Sequence, residues 1–318
     1  MAEQIRVTVL AGGFGGARMA HGFALLADRV SLSVIVNTAD DLELHGLLVS
    51  PDLDTVMYTL AGLANDATGW GLRDETWSAA DMLTRYGAPT WFGLGDRDLA
   101  THILRTAAIR GGARPTEVAA TLAGALGVRA QLLPMTDSPV RTKVRTSAGW
   151  LDFQDYFVRR HHADEVLELR FDGMRAAAIS PEVRLAIQSA DLIVMAPSNP
   201  FVSIGPIVAV PGLREALISA AAPLVAVSPI VGNSAVRGPA GDMLASLANV
   251  EPSAAGLAAY YNATCPGLID VFVLHEADAA HEEAVARTGM RPLITNTLIS
   301  AADDRRRLAE ELLTLARH

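Results

Sequence analysis

Near its start the chain runs Ile5-Arg6-Val7-Thr8-Val9-Leu10 and then Ala11-Gly12-Gly13-Phe14-Gly15-Gly16-Ala17-Arg18. Four glycines between a β-rich run and the helical segment Ala17–Ala27 restrict what the rest can build. With no side chains there, the backbone can turn tightly and let an anion approach the N–H groups and positive dipole of the helix start. A plain tight turn packing helix on strand is the alternative. A second strand follows at Leu32–Val36, and this β–α–β order implies a parallel sheet with helices on its faces. The spacing is not a G-x-G-x-x-G, because the sixth position from Gly13 is Arg18, and the Gly-Lys-Ser/Thr ending of a Walker loop is missing. The loop therefore points to phosphate or nucleotide binding outside both of those classes.

The remaining pattern predicts an α/β chain with a Rossmann-like parallel core, helices on both faces and a mainly helical insertion. Residues 1–63 and 180–318 are expected to form the core, and residues 64–179 the insertion. Helices are expected at Asp52–Leu63, Ser78–Tyr86, Asp96–Arg110 and Pro115–Leu126. Strand-like runs follow at Val128–Leu133, Arg141–Thr146, Glu165–Phe171 and Met174–Ile179. Core alternation returns with helices at Pro181–Ser189, Leu213–Ala221 and Ala301–Arg317, and strands at Leu192–Ala196, Leu224–Ser228 and Val271–Leu274.

Composition narrows the partners. The 318 residues are 50% apolar and 19% charged, which suits a large buried core and excludes intrinsic disorder. The net charge of −9 argues against sequence-independent nucleic-acid binding. Lys143 is the only lysine, so phosphate recognition falls to arginine forks and backbone N–H groups. The single cysteine, Cys265, allows no intrachain disulfide and no multi-cysteine zinc site. No apolar run reaches the roughly 18 residues of a membrane span. The first strand does not read as a signal peptide, and a soluble cytoplasmic protein is expected.

Polar residues gather where strands are expected to end, which is where open parallel sheets bind ligands. The second strand ends in Asn37-Thr38-Ala39-Asp40-Asp41. Next comes Ser50-Pro51-Asp52-Leu53-Asp54-Thr55, in which Ser50 as N-cap, Pro51 at the first helical position and Asp52 on the helix dipole make an ordinary helix start. Asp54 lies beyond that explanation. Four carboxylates thus fall within 15 residues beside the glycine loop, the hard oxygen chemistry that Mg²⁺ uses with phosphates, and Asp40, Asp41 and Asp54 are taken as the metal set. Gly95-Asp96-Arg97-Asp98 opens a helix, and Arg97 could reach an anion. Ser198 and Asn199 follow a buried strand within a proline-fixed turn. Gly232, Arg237 and Gly238 follow another, and Arg237 offers a phosphate clamp.

Taken in order, Gly12-Gly13-Phe14-Gly15-Gly16, Asn37-Thr38-Ala39-Asp40-Asp41, His45-Gly46, Ser50 to Thr55, Gly95-Asp96-Arg97-Asp98, Ser198-Asn199-Pro200 and Ser228-Pro229-Ile230-Val231-Gly232 resemble the 2-phospho-L-lactate transferase family of coenzyme F-420 biosynthesis. The resemblance spans nearly the whole chain. It implies an enzyme that moves a phosphoenolpyruvyl or 2-phospholactyl group from a guanosine diphosphate-linked donor to the ribityl 5′-hydroxyl of the deazaflavin Fo, releasing GMP. The arginine-rich composition favours the actinobacterial, phosphoenolpyruvyl branch. The resemblance also implies a homodimer and places Asp54 and Arg97 against Fo. Asp54 and Asp41 are the expected catalytic carboxylates. Asn37, Thr38, Ser198, Asn199, Gly232 and Arg237 are expected to orient substrate, and Gly12, Gly13, Phe14, Gly15 and Gly16 to hold phosphate.

Two other readings compete. A related group of bacterial regulators binds nucleotide sugars and shares the glycine loop and the Asn-Thr-x-Asp-Asp pattern. A nicotinamide-dependent oxidoreductase is disfavoured by the glycine spacing, and by Asn37 where an acid for the ribose hydroxyls would be expected.

Overall fold

A computed structural model describes residues 4–232 and 234–317. Seven strands form the central sheet: β1 (Ile5–Ala11), β2 (Val30–Val36), β3 (Gln131–Pro134), β4 (Leu192–Met195), β5 (Leu224–Val227), β6 (Val271–His275) and β7 (Arg291–Thr295). Their spatial order is β7-β6-β5-β4-β1-β2-β3, and every neighbouring pair is parallel. The chain turns one way from β1 and the other way from β4, so the switch point lies between these two strands. Ligands bind beyond the carboxyl ends of such a sheet, at that crevice.

Both faces of the sheet are covered, as parallel strands require. On one face Val9, Ala11, Val34 and Val36 pack under α1 (Gly13–Ala24), α2 (Pro51–Leu60) and the last helix, Ala302–Leu313. On the other, Leu10, Ile35, Ile193 and Met195 pack with residues of helices Pro181–Gln188, Leu213–Ser219 and Ala254–Thr264. The first and last helices meet so closely that a Cβ on Gly22 would stand 2.3 Å from the Arg305 carbonyl oxygen.

The expected insertion, 64–179, is interrupted. β3 lies inside that range but pairs with β2 as an edge of the central sheet. The departures from the sheet are therefore two. One carries α3 (Ser78–Arg85), α4 (Asp96–Arg110) and α5 (Pro115–Ala125). The other is an antiparallel sheet of Arg141–Thr146, Gly149–Asp152 and Glu168–Asp172. Met174–Ala176 forms a 3-10 turn where a strand is expected. A short hairpin, Leu42–Leu44 with Leu47–Val49, joins β2 to α2. Its tip is His45-Gly46, both at positive φ (52° and 74°), as a two-residue hairpin turn requires. Among the described residues no single helix is long and apolar enough to cross a membrane.

Candidate active site

A cavity of about 920 Å³ opens beyond the carboxyl ends of β1, β2, β4 and β5. That is near the upper end of the roughly 300–1,000 Å³ typical of ligand sites. Its floor is the glycine loop. Gly13 has φ +57°, and Gly12, as N-cap of α1, brings no side chain to occupy the first-turn N–H groups. Close packing demands glycine twice more. A Cβ on Gly15 would lie 2.3 Å from the Pro197 carbonyl oxygen, and one on Gly12 would lie 2.5 Å from the Ser203 Cβ. Ser198 ties the two central strands together across the crevice, donating from Oγ to the Gly12 carbonyl at 2.8 Å. Asn199 accepts at Oδ1 from the backbone N–H groups of Phe201 and Val202 and holds the β4 loop in shape. Gly12, Gly13, Phe14, Gly15, Ser198, Asn199 and Arg237 all line the cavity; Gly16 is buried against Ala11 and shapes the loop from behind.

Two carboxylates face this floor, Asp40 and Asp52. Asp40 is 4% exposed, and its Oδ1 has no hydrogen-bond partner among the described residues. Burial, with Asp52 beside it, pushes Asp40 well above the ordinary carboxylate range. Burial likewise raises Asp52 to about 6, although the Asn37 amide donates to it at 2.9 Å. A buried acid with an orphan oxygen beside a half-buried one fits a hard divalent cation such as Mg²⁺, which takes carboxylate oxygens beside phosphates. The helix-start account of Asp52 is therefore incomplete. Ser50 stands at the N-cap of α2 as expected, but its hydroxyl donates to Asp41 at 2.7 Å and makes no cap bond.

The structure separates the expected metal set. Asp41 turns behind the cavity wall toward Ser50, and burial raises it to about 7 with Arg141 opposing. Asp54 is on the far side of α2, in the interface with α4. Arg105 donates there from Nη1 to Asp54 Oδ2 at 2.9 Å and from Nη2 to Oδ1. His102 Nδ1 lies 3.2 Å from Arg105 Nη1, and its Nε2 lies 3.2 Å from Asp98 Oδ2. Tyr58 donates to Asp98 at 2.6 Å. Burial opposes the charge on Asp98, but the bonds from His102 and Tyr58 outweigh it and hold its pKa low. Asp54, Asp98 and His102 lie close enough together to hold a metal ion. The Arg105 guanidinium already supplies that cluster with its cation. Neither Asp54 nor Asp41 lines the cavity, so neither is placed to touch reacting atoms there.

Other expected contacts move as well. Arg97 is exposed and donates to the Arg73 carbonyl at 2.8 Å, because the first turn of α4 faces away from the cavity. That turn is held by an exchange of caps. Glu75 accepts from the N–H groups of Arg97 and Asp98, while Asp96 accepts from those of Ser78 and Ala79. The residues just upstream, Thr90–Gly93, are the ones that reach the cavity. Asn37 is fully buried and Thr38 nearly so; Asn37 fixes Asp52 and accepts from the Ala39 N–H, so both shape the loop from inside. Gly232 lies on an exposed turn tied to Asp278, away from the cavity.

The rest of the wall is aromatic and cationic. Trp70, Trp91, Phe92, Phe153 and Phe157 give it a flat apolar face, with Phe153 and Phe157 stacked at 5.4 Å. Arg18 also lines it, with its guanidinium 3.8 Å from the Phe14 ring centre. The sequence carried no signal for these aromatics beyond their type, because Trp70, Trp91 and Phe92 come from loops and Phe153 and Phe157 from a short irregular helical turn. Arg18 was visible only as a departure from a glycine pattern.

The model of the family described as "2-phospho-L-lactate transferase CofD" matches residues 7–313. The chain belongs to this transferase family. A phosphoenolpyruvate transferase of Streptomyces griseus is 43% identical over 317 residues, covering 98% of each chain. One of Mycobacterium tuberculosis is 41% identical over 314 residues, covering 92% of this chain and 94% of its own. A 2-phospho-L-lactate transferase of Methanosarcina acetivorans is 39% identical over 307 residues, covering 96% and 98%. A solved structure of a UPF0052-family protein from Bacillus halodurans superposes with a TM-score of 0.66 at 17% identity, covering 98% of this chain and all of that one. That likeness concerns the fold alone. Both enzyme names among the relatives describe transfer of a phosphorylated three-carbon acid.

Proposed function

We propose that this transferase moves a phosphoenolpyruvyl or 2-phospholactyl group from a guanosine diphosphate-linked donor to the ribityl 5′-hydroxyl of the deazaflavin Fo, in coenzyme F-420 biosynthesis. The observation that carries this reading is the pairing of Asp40 and Asp52 opposite an open glycine loop, in a cavity with room for two ligands. The family match and the relatives' names support the transferred group. The finer assignments of guanosine and Fo follow the family resemblance, and the glycine loop and aromatic wall are compatible with them.

Phosphoryl transfer asks a protein for alignment and charge stabilisation more than for covalent help. The N–H groups at the start of α1 are aimed at the donor diphosphate, and Ser198 and Asn199 hold that crevice rigid. Asp40 and Asp52 are the residues that would hold Mg²⁺, which when bound offsets the charge of the phosphate oxygens and of the departing GMP. The aromatic wall stacks the planar deazaflavin and leaves its ribityl chain directed at the distal phosphorus. Once both ligands fill the cavity, its aromatic wall excludes water, which would otherwise hydrolyse the donor.

The test is a fluorescence titration of the protein with Fo, with and without GDP and Mg²⁺, using UDP-N-acetylglucosamine as control. Saturable Fo binding that tightens with GDP and Mg²⁺ is expected, followed by GMP release when a donor is supplied. A response to the nucleotide sugar with none to Fo would overturn the reading.

A further inference from the structure

Arg18 stands on the second turn of α1 beside Phe14. Arg237 approaches the same ring from the loop after β5, its guanidinium 4.4 Å from the ring centre, and donates to the Thr68 carbonyl at 3.0 Å. Arg305, on the last helix, is close enough that its charge joins burial in lowering the pKa of Arg18. Against these three cations stands the exposed Asp66, 3.6 Å from Arg305. Among the described residues no carboxylate lies within 4.0 Å of Arg18 or Arg237. The Arg18 Nε is buried and has no hydrogen-bond partner among them. A desolvated guanidinium N–H without an acceptor is costly, and neighbouring like charges add to the cost. Such a corner is stabilised by an anion.

The proposed reaction supplies a candidate, and the inference rests on that reading. A nucleoside diphosphate carrying a three-carbon acid has one negative charge on each phosphate and a third on the carboxylate. In that reading the phosphates would face the start of α1 and any cation that Asp40 and Asp52 hold. The carboxylate has no partner in that arrangement. We propose that Arg18, with Arg237 beside it, binds the carboxylate of the transferred three-carbon acid, and so selects the loaded donor over the bare nucleoside diphosphate. A guanidinium offers a carboxylate two parallel N–H bonds in one plane, and the Phe14 ring holds the guanidinium in place. Arg18 is thus a specificity-determining residue. Arg237 reaches the ligand by releasing the Thr68 carbonyl.

The experiment measures calorimetric affinities of GDP and of guanosine diphosphate esterified on its distal phosphate with enolpyruvate, both with Mg²⁺, for the wild type, Arg18→Gln, Arg18→Lys and Arg237→Gln. Thermal unfolding confirms that each variant is folded, and Arg237→Gln changes an exposed loop residue if the Arg18 variants fail. Arg18→Gln is expected to weaken the donor by about 10- to 100-fold, as loss of a charged hydrogen-bond pair does, and to leave GDP within about twofold. Arg18→Lys should recover part of the loss, and Arg237→Gln should show a smaller split in the same sense. Equal losses for GDP and donor would assign the pair to phosphate and overturn the proposal. An unchanged donor affinity would overturn it as well. If the wild type binds neither nucleotide, the donor reading itself falls and takes the proposal with it, an outcome told apart because it shows before any substitution.

Discussion

Asp52 and Asp54 are two residues apart on α2, yet their surroundings are opposites. Asp54 is buried against Arg105, which answers both of its oxygens, and the network continues through His102, Asp98 and Tyr58. Asp52 is also partly removed from water, but the charged group it acts on is another acid, Asp40. The first cluster contains its own cation and joins α2 to α4. The second lacks one and opens on the cavity. A buried acid whose charge is answered within the fold serves architecture, and one left unanswered serves a ligand.

The sharpest way to break this comparison is to remove the charge at the open cluster. Asp52→Asn should lower turnover by about 10²–10³ or more, the size of loss seen when one electrostatic stabiliser is deleted, with the fold intact. Steady-state kinetics beside circular dichroism would show it, and near-normal turnover would take Asp52 out of the site. The answering substitution is Asp54→Asn. It strands the buried Arg105 charge and should cost about 3–5 kcal/mol of stability in urea unfolding, with activity lost only as far as the protein unfolds. A variant with wild-type stability and no turnover would move Asp54 back among the reacting groups, where the family resemblance places it.

The pH dependence sharpens the contrast further. Asp52 is raised to about 6 and Asp41 to about 7, so their protonated forms favour the metal-free fold. That contribution is full below about pH 4 and is lost as pH rises through 6 to 7. Mg²⁺ needs Asp40 and Asp52 ionised, so its stabilising effect should grow as pH rises through the range in which Asp52 loses its proton. Melting temperatures at pH 5 to 8, with EDTA or with Mg²⁺, should diverge as pH rises; parallel curves would deny a cation to the acid pair. The smallest effect is expected for Arg97→Ala. Losing one exposed bond to a carbonyl should change the Fo affinity less than about twofold and stability by about 0.5 kcal/mol or less. A tenfold weaker Fo affinity would return Arg97 to the acceptor.

The chain order of strand, glycine loop and helix made the Rossmann-like core legible from the sequence. The ends of most elements fall within a few residues of their expected places because apolar periodicity sets them. β3 was misplaced because Val128–Leu133 looks the same whether it pairs with a small sheet or with β2; partner choice is a tertiary matter. Asp52 was hidden by a sufficient local explanation, since a Ser-Pro-Asp helix start satisfies every nearby rule. Nothing in spacing marks Arg105 or His102, or tells that one turn of α4 faces one turn of α2. The aromatic wall joins loops and one short helical turn separated by up to 87 residues, Trp70 to Phe157, across which no periodic signal operates.

The close seat of the last helix on the first has a bearing on how this protein comes into being. The cover for one side of α1 arrives only with Ala302–Leu313, and Gly22 leaves room for Arg305 and for nothing larger. The glycine loop and the helix that buttresses it lie far apart in sequence, so during synthesis one side of α1 stays uncovered until that helix has been made. A change at Gly22 or Arg305 would then reach the glycine loop through the seat of one helix on the other.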